Sequence, residues 1–166
     1  MTTLTLLHVL ISLAGIISGF VIAFGLLGGK RLEGWTKFFL TTTVLTSATG
    51  FLFFPFPKLL PSHIIGGISL VVLAIAIFAR YVRHLSGAWR STYVLSAILA
   101  LYFNVFVLVV QSFMKVPALK ALAPTQSEPP FVITQGIVLL LFVVLGFSGV
   151  KRFRINSLSV SAATSR

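Results

Sequence analysis

Five long runs of apolar residues occupy most of this chain and restrict its fold more than any other feature. A helix needs roughly 20 mostly apolar residues to cross the hydrocarbon core of a bilayer. The runs predict five such helices, which cover residues 4–28, 38–54, 62–82, 91–114 and 131–150. We therefore expect an all-α, polytopic transmembrane helix bundle in which residues 1–150 form a single domain.

The composition is typical of a membrane protein. Hydrophobic residues make up 57% of the chain and charged residues 9%, with a mean hydropathy of +1.07. Soluble domains carry about 25% charged residues, so this chain cannot cover its surface with polar groups. The net charge of +11 would favour nucleic-acid binding in a soluble protein. Here the basic residues separate apolar runs, so we expect the lipid bilayer as the partner, together with other membrane subunits or a second copy, and no nucleic acid.

Successive links between the predicted helices lie on opposite sides of the membrane, and the basic residues are divided unevenly between these two sides. Ten of the thirteen lie at or after the ends of the first, third and fifth runs: Lys30, Arg31, Lys37, Arg80, Arg83, Arg90, Lys151, Arg152, Arg154 and Arg166. The other side holds three, Lys58, Lys115 and Lys120. Because cytoplasmic loops are enriched in Lys and Arg, this asymmetry predicts an outer N-terminus and a cytoplasmic C-terminus. The prediction is a multi-pass protein of a bacterial inner membrane.

Two segments outside the apolar runs have their own expected roles. Residues 151–166 are basic and rich in Ser, with little to bury, so they predict a disordered cytoplasmic tail. Residues 115–130 form the longest link, and their amphipathic pattern places them on the outer surface. We expect this link to be an interfacial connector, with a lid or a partner-docking segment as the alternative.

Small residues mark the faces on which the helices should pack, since close approach drives helix association in lipid. The first run carries Ser12, Gly15, Gly19 and Ala23 at spacings of three and four. Such spacing puts all four on one helix face. The second run carries a hydroxyl-rich stretch, residues 42–50, that can hydrogen-bond across helices. The Gly-Gly-Lys sequence at 28–30 predicts the C-cap of the first helix.

Few residues are available for catalysis. The two acidic residues, Glu33 and Glu128, are predicted on opposite sides of the membrane, so they cannot form a carboxylate pair within one subunit. The chain has no Asp and no Cys, which excludes a Ser–His–Asp triad and thiolate chemistry. We therefore assign no catalytic residues, and the sequence favours a protein that is not an enzyme.

Polar residues inside the apolar runs form the candidate binding site. Intramembrane polar groups are costly unless paired, and they often mark function. The residues are His8, His63, Asn104, Gln111 and Gln135. The predicted topology places Asn104 near the middle of the bilayer and the other four in its outer third. His84 lies at the opposite end of the third helix, about 31 Å from His63 at 1.5 Å per residue.

Two histidines at similar depth, His8 and His63, allow several ligands. Facing imidazoles can hold the iron of haem b from both sides. A quinone can accept hydrogen bonds from His, Asn and Gln side chains inside an apolar cleft. A structural zinc site needs four ligands, so zinc is poorly supported. The remaining alternative is that the polar groups bond one another and lock the bundle.

These alternatives correspond to three functions. The first is a non-enzymatic accessory or scaffold protein that works through helix–helix contacts. The second is a haem b- or quinone-binding electron-transfer protein that uses the outer histidines. The third is a small oligomeric transporter or channel, which would need several subunits because five short-linked helices enclose little space.

The histidines and the first basic link resemble those of a known group of proteins. The matching residues are His8, the stretch Gly29-Lys30-Arg31-Leu32, and His63 and His84 around the third run. They are similar to small bacterial inner-membrane proteins of unknown function with histidines near transmembrane helix ends, over residues 4–114. The resemblance extends distantly to cytochrome b561-type bundles, and it implies haem ligation at helix ends. The group often has a His–Arg pair after the first loop, where this chain has Glu33-Gly34-Trp35, so an inner haem at His84 would lack that partner.

Overall fold

The described part of the chain consists of helices joined by short turns and links. The computed structural model describes residues 3–53 and 61–164, with side chains described over 3–50 and 64–153. The helices are α1 (Thr3–Leu27), α2 (Glu33–Phe53), α3 (Pro61–Ile77), α4 (Trp89–Lys115), α5 (Pro117–Leu122) and α6 (Pro129–Thr164). A π-helical turn, Phe78–Val82, continues α3. The all-α prediction is confirmed for these residues.

Four stretches of helix are long and apolar enough to cross a membrane. They are Thr3–Leu27, Ile64–Val82, Trp89–Lys115 and Pro129–Phe153. The 21 residues of α2 give it the required length, about 31 Å, but Thr and Ser interrupt its apolar residues. Four helices therefore support a membrane protein, while the fifth crossing and the orientation of the termini stay predictions.

The turn between α1 and α2 ends the first helix as its Gly-Gly-Lys sequence predicts. Gly29 has a left-handed backbone with a φ of 69°. Its N–H donates to Leu26 O at 3.0 Å, and the Lys30 N–H donates to Gly25 O at 2.8 Å. These two bonds form a Schellman motif, which satisfies carbonyls at the helix end. The predicted C-cap is confirmed, and it returns the chain along α1 as α2.

α4 lies at the centre of the bundle. It packs against α1, α3, α5 and α6, and it touches α2. α2 packs against both α1 and α3. The largest fully buried side chains at these contacts are Tyr93, Phe39, Leu73 and Leu101. On α1, Gly15, Gly19 and Ala23 are all buried, as their spacing predicts.

Hydroxyl side chains in these helices bond mainly to their own backbone. The donors to the carbonyl four residues earlier are Ser12, Ser18, Thr42, Thr49, Thr92, Ser112 and Thr134, at 2.7–3.2 Å. Such a bond satisfies the hydroxyl hydrogen within one helix and leaves the oxygen able to accept another bond. A different arrangement joins α2 to α3, where the Ser47 hydroxyl donates to the Ser69 hydroxyl at 3.3 Å.

The link between α4 and α6 is held against the end of the bundle. The Gln126 side-chain Nε2 donates to Val110 O at 3.1 Å, which fixes the link to α4. The Glu128 carboxylate accepts bonds from the Thr125 N–H at 3.1 Å and from the Thr125 hydroxyl at 2.9 Å. Desolvation opposes the effect, but hydrogen bonds from Thr125 and Ser127 lower the pKa of Glu128. These bonds fix Gln126 to α4 and Thr125 to Glu128. The roles given to residues 115–130, as an interfacial connector or as a lid or docking segment, stay predictions.

α6 continues beyond its membrane-length stretch into the basic tail. The apolar stretch ends at Phe153, and the helical backbone reaches Thr164. Short helices rich in Ser are marginal in water unless they pack against a partner. The disorder that the sequence indicates for residues 151–166 stays a prediction.

Candidate functional site

His8 lies at the contact between α1 and α2. Its side chain is half-buried, and its Nδ1 lies 2.8 Å from the Thr49 hydroxyl oxygen. That hydroxyl donates its hydrogen to Leu45 O at 2.7 Å, so we assign the proton of the shared bond to His8 Nδ1. The bond fixes the ring against α2. The prediction that His8 faces neighbouring helices is confirmed.

Asn104 lies deeper, where α4 meets α1 and α2. Its Nδ2 donates to the Thr43 hydroxyl of α2 at 3.4 Å. A side chain at Gly15 of α1 would meet both partners, because a Cβ built there lies 3.4 Å from the Thr43 Oγ1 and 3.6 Å from the Asn104 Nδ2. These are ordinary van der Waals distances, and they show that α1, α2 and α4 come together around this one hydrogen bond.

The two glutamines lie on α4 and α6, and Gln135 joins these two helices. The Gln135 Nε2 of α6 donates to Phe106 O of α4 at 3.2 Å. Its Oε1 is buried and, among the described residues, has no hydrogen-bond partner. Gln111 is half-buried on α4, seven residues after Asn104. His8, Asn104 and Gln135 thus bridge different helix pairs.

His63 lies in the first turn of α3, and its side chain falls outside the described residues. α2 packs against α1 on one side and α3 on another, so the helices that carry His8 and His63 share it as a neighbour. A common cleft for the two histidines stays a prediction, as do haem b and quinone binding. Over the described side chains, His, Cys, Asp and Glu form no group of three or more that could hold a metal ion.

A His8→Cys, Thr49→Cys double variant should be joined by a short bifunctional thiol reagent, because the native side chains touch at 2.8 Å. The chain has no native cysteine, so an intramolecular crosslink can be read directly as a mass increase. A Leu10→Cys, Thr49→Cys variant is the control, since Leu10 is 55% exposed on another face of α1. Equal crosslinking of the two variants would show that His8 does not face α2.

Sequence reasoning missed a buried arginine at the other end of the bundle. Arg80, which the sequence assigned to the membrane boundary, is only 5% exposed. Its Nη2 lies 2.7 Å from the Glu33 Oε1 at the start of α2. Its guanidinium carbon lies 5.0 Å from the centre of the Tyr93 ring of α4. Arg80 therefore ties α2, α3 and α4 together where the α1–α2 and α3–α4 turns meet, an end we call the basic end.

Local backbone geometry accompanies this burial. Arg80 is in the π-helical turn, in which the Arg83 N–H donates to Phe78 O at 3.0 Å. The next two residues, His84 and Leu85, are left-handed, with φ of 48° and 56°. Single π turns inside α-helices are frequent at functional sites, and left-handed residues other than glycine persist only where their surroundings hold them. The end of α3 therefore combines a buried charge with an unusual backbone.

One sequence signal could have indicated Arg80. Arg80 lies inside the third apolar run and is followed by Tyr81 and Val82. The predicted inner side holds a single acidic residue, Glu33, that could pair with it. A charged residue inside a membrane-length run is by default a candidate for function. The sequence alone could not show that the end of α3, with Arg80, contacts the starts of α2 and α4.

The helical bundle and its apolar helices indicate a membrane protein. Four apolar helices of membrane length carry that conclusion. The chain matches no protein-family model, no curated protein and no solved structure.

Proposed function

We propose that the protein is a non-enzymatic accessory or scaffold protein, multi-pass in a bacterial inner membrane. The observation that supports this most is the use made of the intramembrane polar groups. His8, Asn104 and Gln135 each bond to a neighbouring helix, through Thr49, Thr43 and Phe106 O respectively. Donor groups used in this way stabilise one arrangement of helices and need no cofactor as their acceptor.

The surface available to a partner lies along α6. In its most apolar stretch 22% of the residues are buried, against 44% in α1, so α6 is the most peripheral of the four membrane-length helices. Large apolar side chains such as Leu140 and Phe147 are exposed there. In a bilayer this face contacts lipid, a second copy of the chain or another membrane subunit.

Purification in a mild detergent tests this function directly. We expect either a self-associated form or a copurifying membrane protein, and an absorption spectrum without a Soret band. A Soret band that shifts on dithionite reduction, or a quinone recovered by organic extraction, would favour the electron-transfer function instead. A monomer that retains no protein partner in detergent or in native nanodiscs would contradict a scaffold role.

Quinone binding is the second candidate function, and one buried atom, the Gln135 Oε1, favours it. The Gln135 Oε1 is buried without a partner among the described residues, and an unpaired buried acceptor is costly. A quinol hydroxyl could donate to it. Haem b bound by His8 and His63 has no comparable observation in its favour, and an oligomeric transporter or channel would need an assembly of several copies.

The orientation with the N-terminus outside can be tested by fusions. A reporter that is active only outside the cytoplasm should be active after Glu128 and inactive after Arg154. The expectation follows from the ten basic residues on one predicted side and three on the other. Activity in the reverse pattern would invert the proposed topology, and equal activity at both sites would remove one crossing.

A further inference from the structure

A pocket of about 210 Å³ lies at the basic end, between the α1–α2 turn and the π-helical end of α3. Its lining residues are Arg31, Glu33, Arg80, Tyr81, His84 and Leu85. They come from the start of α2 with its preceding turn and from the end of α3 with its following turn. The pocket is smaller than the roughly 300–1,000 Å³ of sites that hold drug-sized ligands. Its size therefore suits a compact group.

The charges around the pocket are mostly positive. Arg31 and Arg80 contribute two cations against the single carboxylate of Glu33. That carboxylate is already paired with the Arg80 Nη2 at 2.7 Å, so Arg31 is left to set the sign of the local field. His84 also lines the pocket, and its imidazole can donate a hydrogen bond there. This combination disfavours a cation and favours an anion.

Arg80 supplies the second, independent observation. Arg80 is only 5% exposed. Its Nε nevertheless has no hydrogen-bond partner within the described part of the chain. A buried N–H of a charged group that is left without an acceptor is destabilising. A guanidinium matches the oxygens of a phosphate or carboxylate through several N–H groups at once. An anion in the pocket would supply the missing acceptor.

The aromatic and basic residues around the pocket indicate which anions can reach it. Tyr81 lines it, and the nearby Arg83 guanidinium carbon lies 5.4 Å from the centre of the Trp89 ring. Aromatic and basic side chains gather in this way at the level of lipid headgroups. Basic pockets between membrane helices at this level bind phosphate-bearing headgroups. The pocket also opens to the surface of the bundle at Glu33, which is 62% exposed.

We propose that this pocket binds a phosphate group, held by Arg80 and Arg31 with a further hydrogen bond from His84. The phosphate belongs either to the headgroup of an anionic phospholipid or to a soluble phosphate, since both present the same oxygens. The proposal does not depend on the accessory function or on the orientation of the termini, because it uses only the residues that line the pocket.

The test compares two double variants of the full chain in nanodiscs. Arg31→Gln with His84→Gly removes two donors at the pocket, and glycine accepts the left-handed backbone of residue 84 without strain. Lys37→Gln with Arg152→Gln is the control, because both side chains are exposed and neither lines the pocket. Arg80 itself is left in place so that the bundle keeps its buried ion pair.

The probes are phosphatidylglycerol, offered in a phosphatidylcholine nanodisc, and inorganic phosphate, offered in a nanodisc of phosphatidylcholine alone. We expect the native protein and the control to bind one of them at a saturable site, measured by retained lipid in mass spectrometry and by the shift in melting temperature. The pocket variant should bind it about tenfold or more weakly, the loss expected for a charge-assisted hydrogen bond. A response to phosphatidylglycerol alone identifies the headgroup, and a response to inorganic phosphate identifies the soluble anion. The proposal is overturned if the native protein responds to neither probe, or if the pocket variant and the control lose binding equally.

Discussion

Gly19→Leu should lower the melting temperature of the protein in detergent by about 5–10 °C, the largest effect we expect from any single change in the apolar core. Gly19 lies on the buried face of α1. A Cβ added there would overlap the Leu101 side chain of α4 and lie 2.9 Å from the Phe39 Cε2 of α2. A leucine would therefore have to push two helices away from α1, and overpacking of this kind costs roughly 1–3 kcal/mol or more.

The matched control is Gly136→Leu. Gly136 is also a helical glycine, on the exposed face of α6, and nothing lies within 4 Å of a Cβ added there. The same side chain at this position should change the melting temperature by no more than about 2 °C. Equal melting temperatures for Gly19→Leu and Gly136→Leu would show that Gly19 does not lie at a contact of three helices.

Glu33→Ala should be nearly as damaging, for an electrostatic reason. It removes the carboxylate that lies 2.7 Å from the Arg80 Nη2 and leaves the guanidinium buried without its acid. Breaking a fully buried pair costs about 3–5 kcal/mol, and an exposed pair contributes about 1 kcal/mol or less. Because Glu33 is 62% exposed, we expect a loss between these limits, about 1–3 kcal/mol.

A second substitution separates this effect from a simple loss of side-chain contacts. Adding Arg80→Leu to Glu33→Ala removes the buried charge together with its partner, and apolar replacements of buried pairs are often neutral. The double variant should therefore be more stable than Glu33→Ala alone, measured by thermal unfolding of both. A double variant that unfolds at a lower temperature than the single one would show that Arg80 stabilises the bundle independently of Glu33.

The helices were predictable because their signal is local. An unbroken apolar run of membrane length needs no knowledge of neighbours, so α1, α4 and α3 with its π-helical turn follow the runs closely. α6 begins near the start of its run but continues to Thr164, well past the end of that run at 150. The C-cap at Gly29 was predictable for the same reason, since it depends on a few adjacent residues. The start of α2 was not, because its first turn holds Glu33, Trp35 and Lys37, which no apolar run includes.

The site was predictable only in part because it depends on which helices touch. Spacing along α1 placed His8 on the face that meets other helices, and the Thr49 bond confirms that direction. Depth alone could not show that Asn104 bonds to α2 while Gln135 bonds to α4, since the depth of a residue does not determine which helices are in contact. The burial of Arg80 is the clearest case, because it depends on Glu33 and Tyr93, which are distant in sequence.

The hydroxyl bonds within single helices bear on how this chain enters a membrane. In α2, Thr42 and Thr49 donate to carbonyls of the same helix at 2.8 and 2.7 Å. Each of these hydroxyl hydrogens is therefore satisfied as soon as the helix forms, before any other helix is present. If α2 is the fifth crossing that the sequence predicts, it can enter lipid with these hydroxyl hydrogens already paired. The Thr49 oxygen would then accept from His8 in a later step, so insertion of the helix and assembly of the bundle can proceed in sequence.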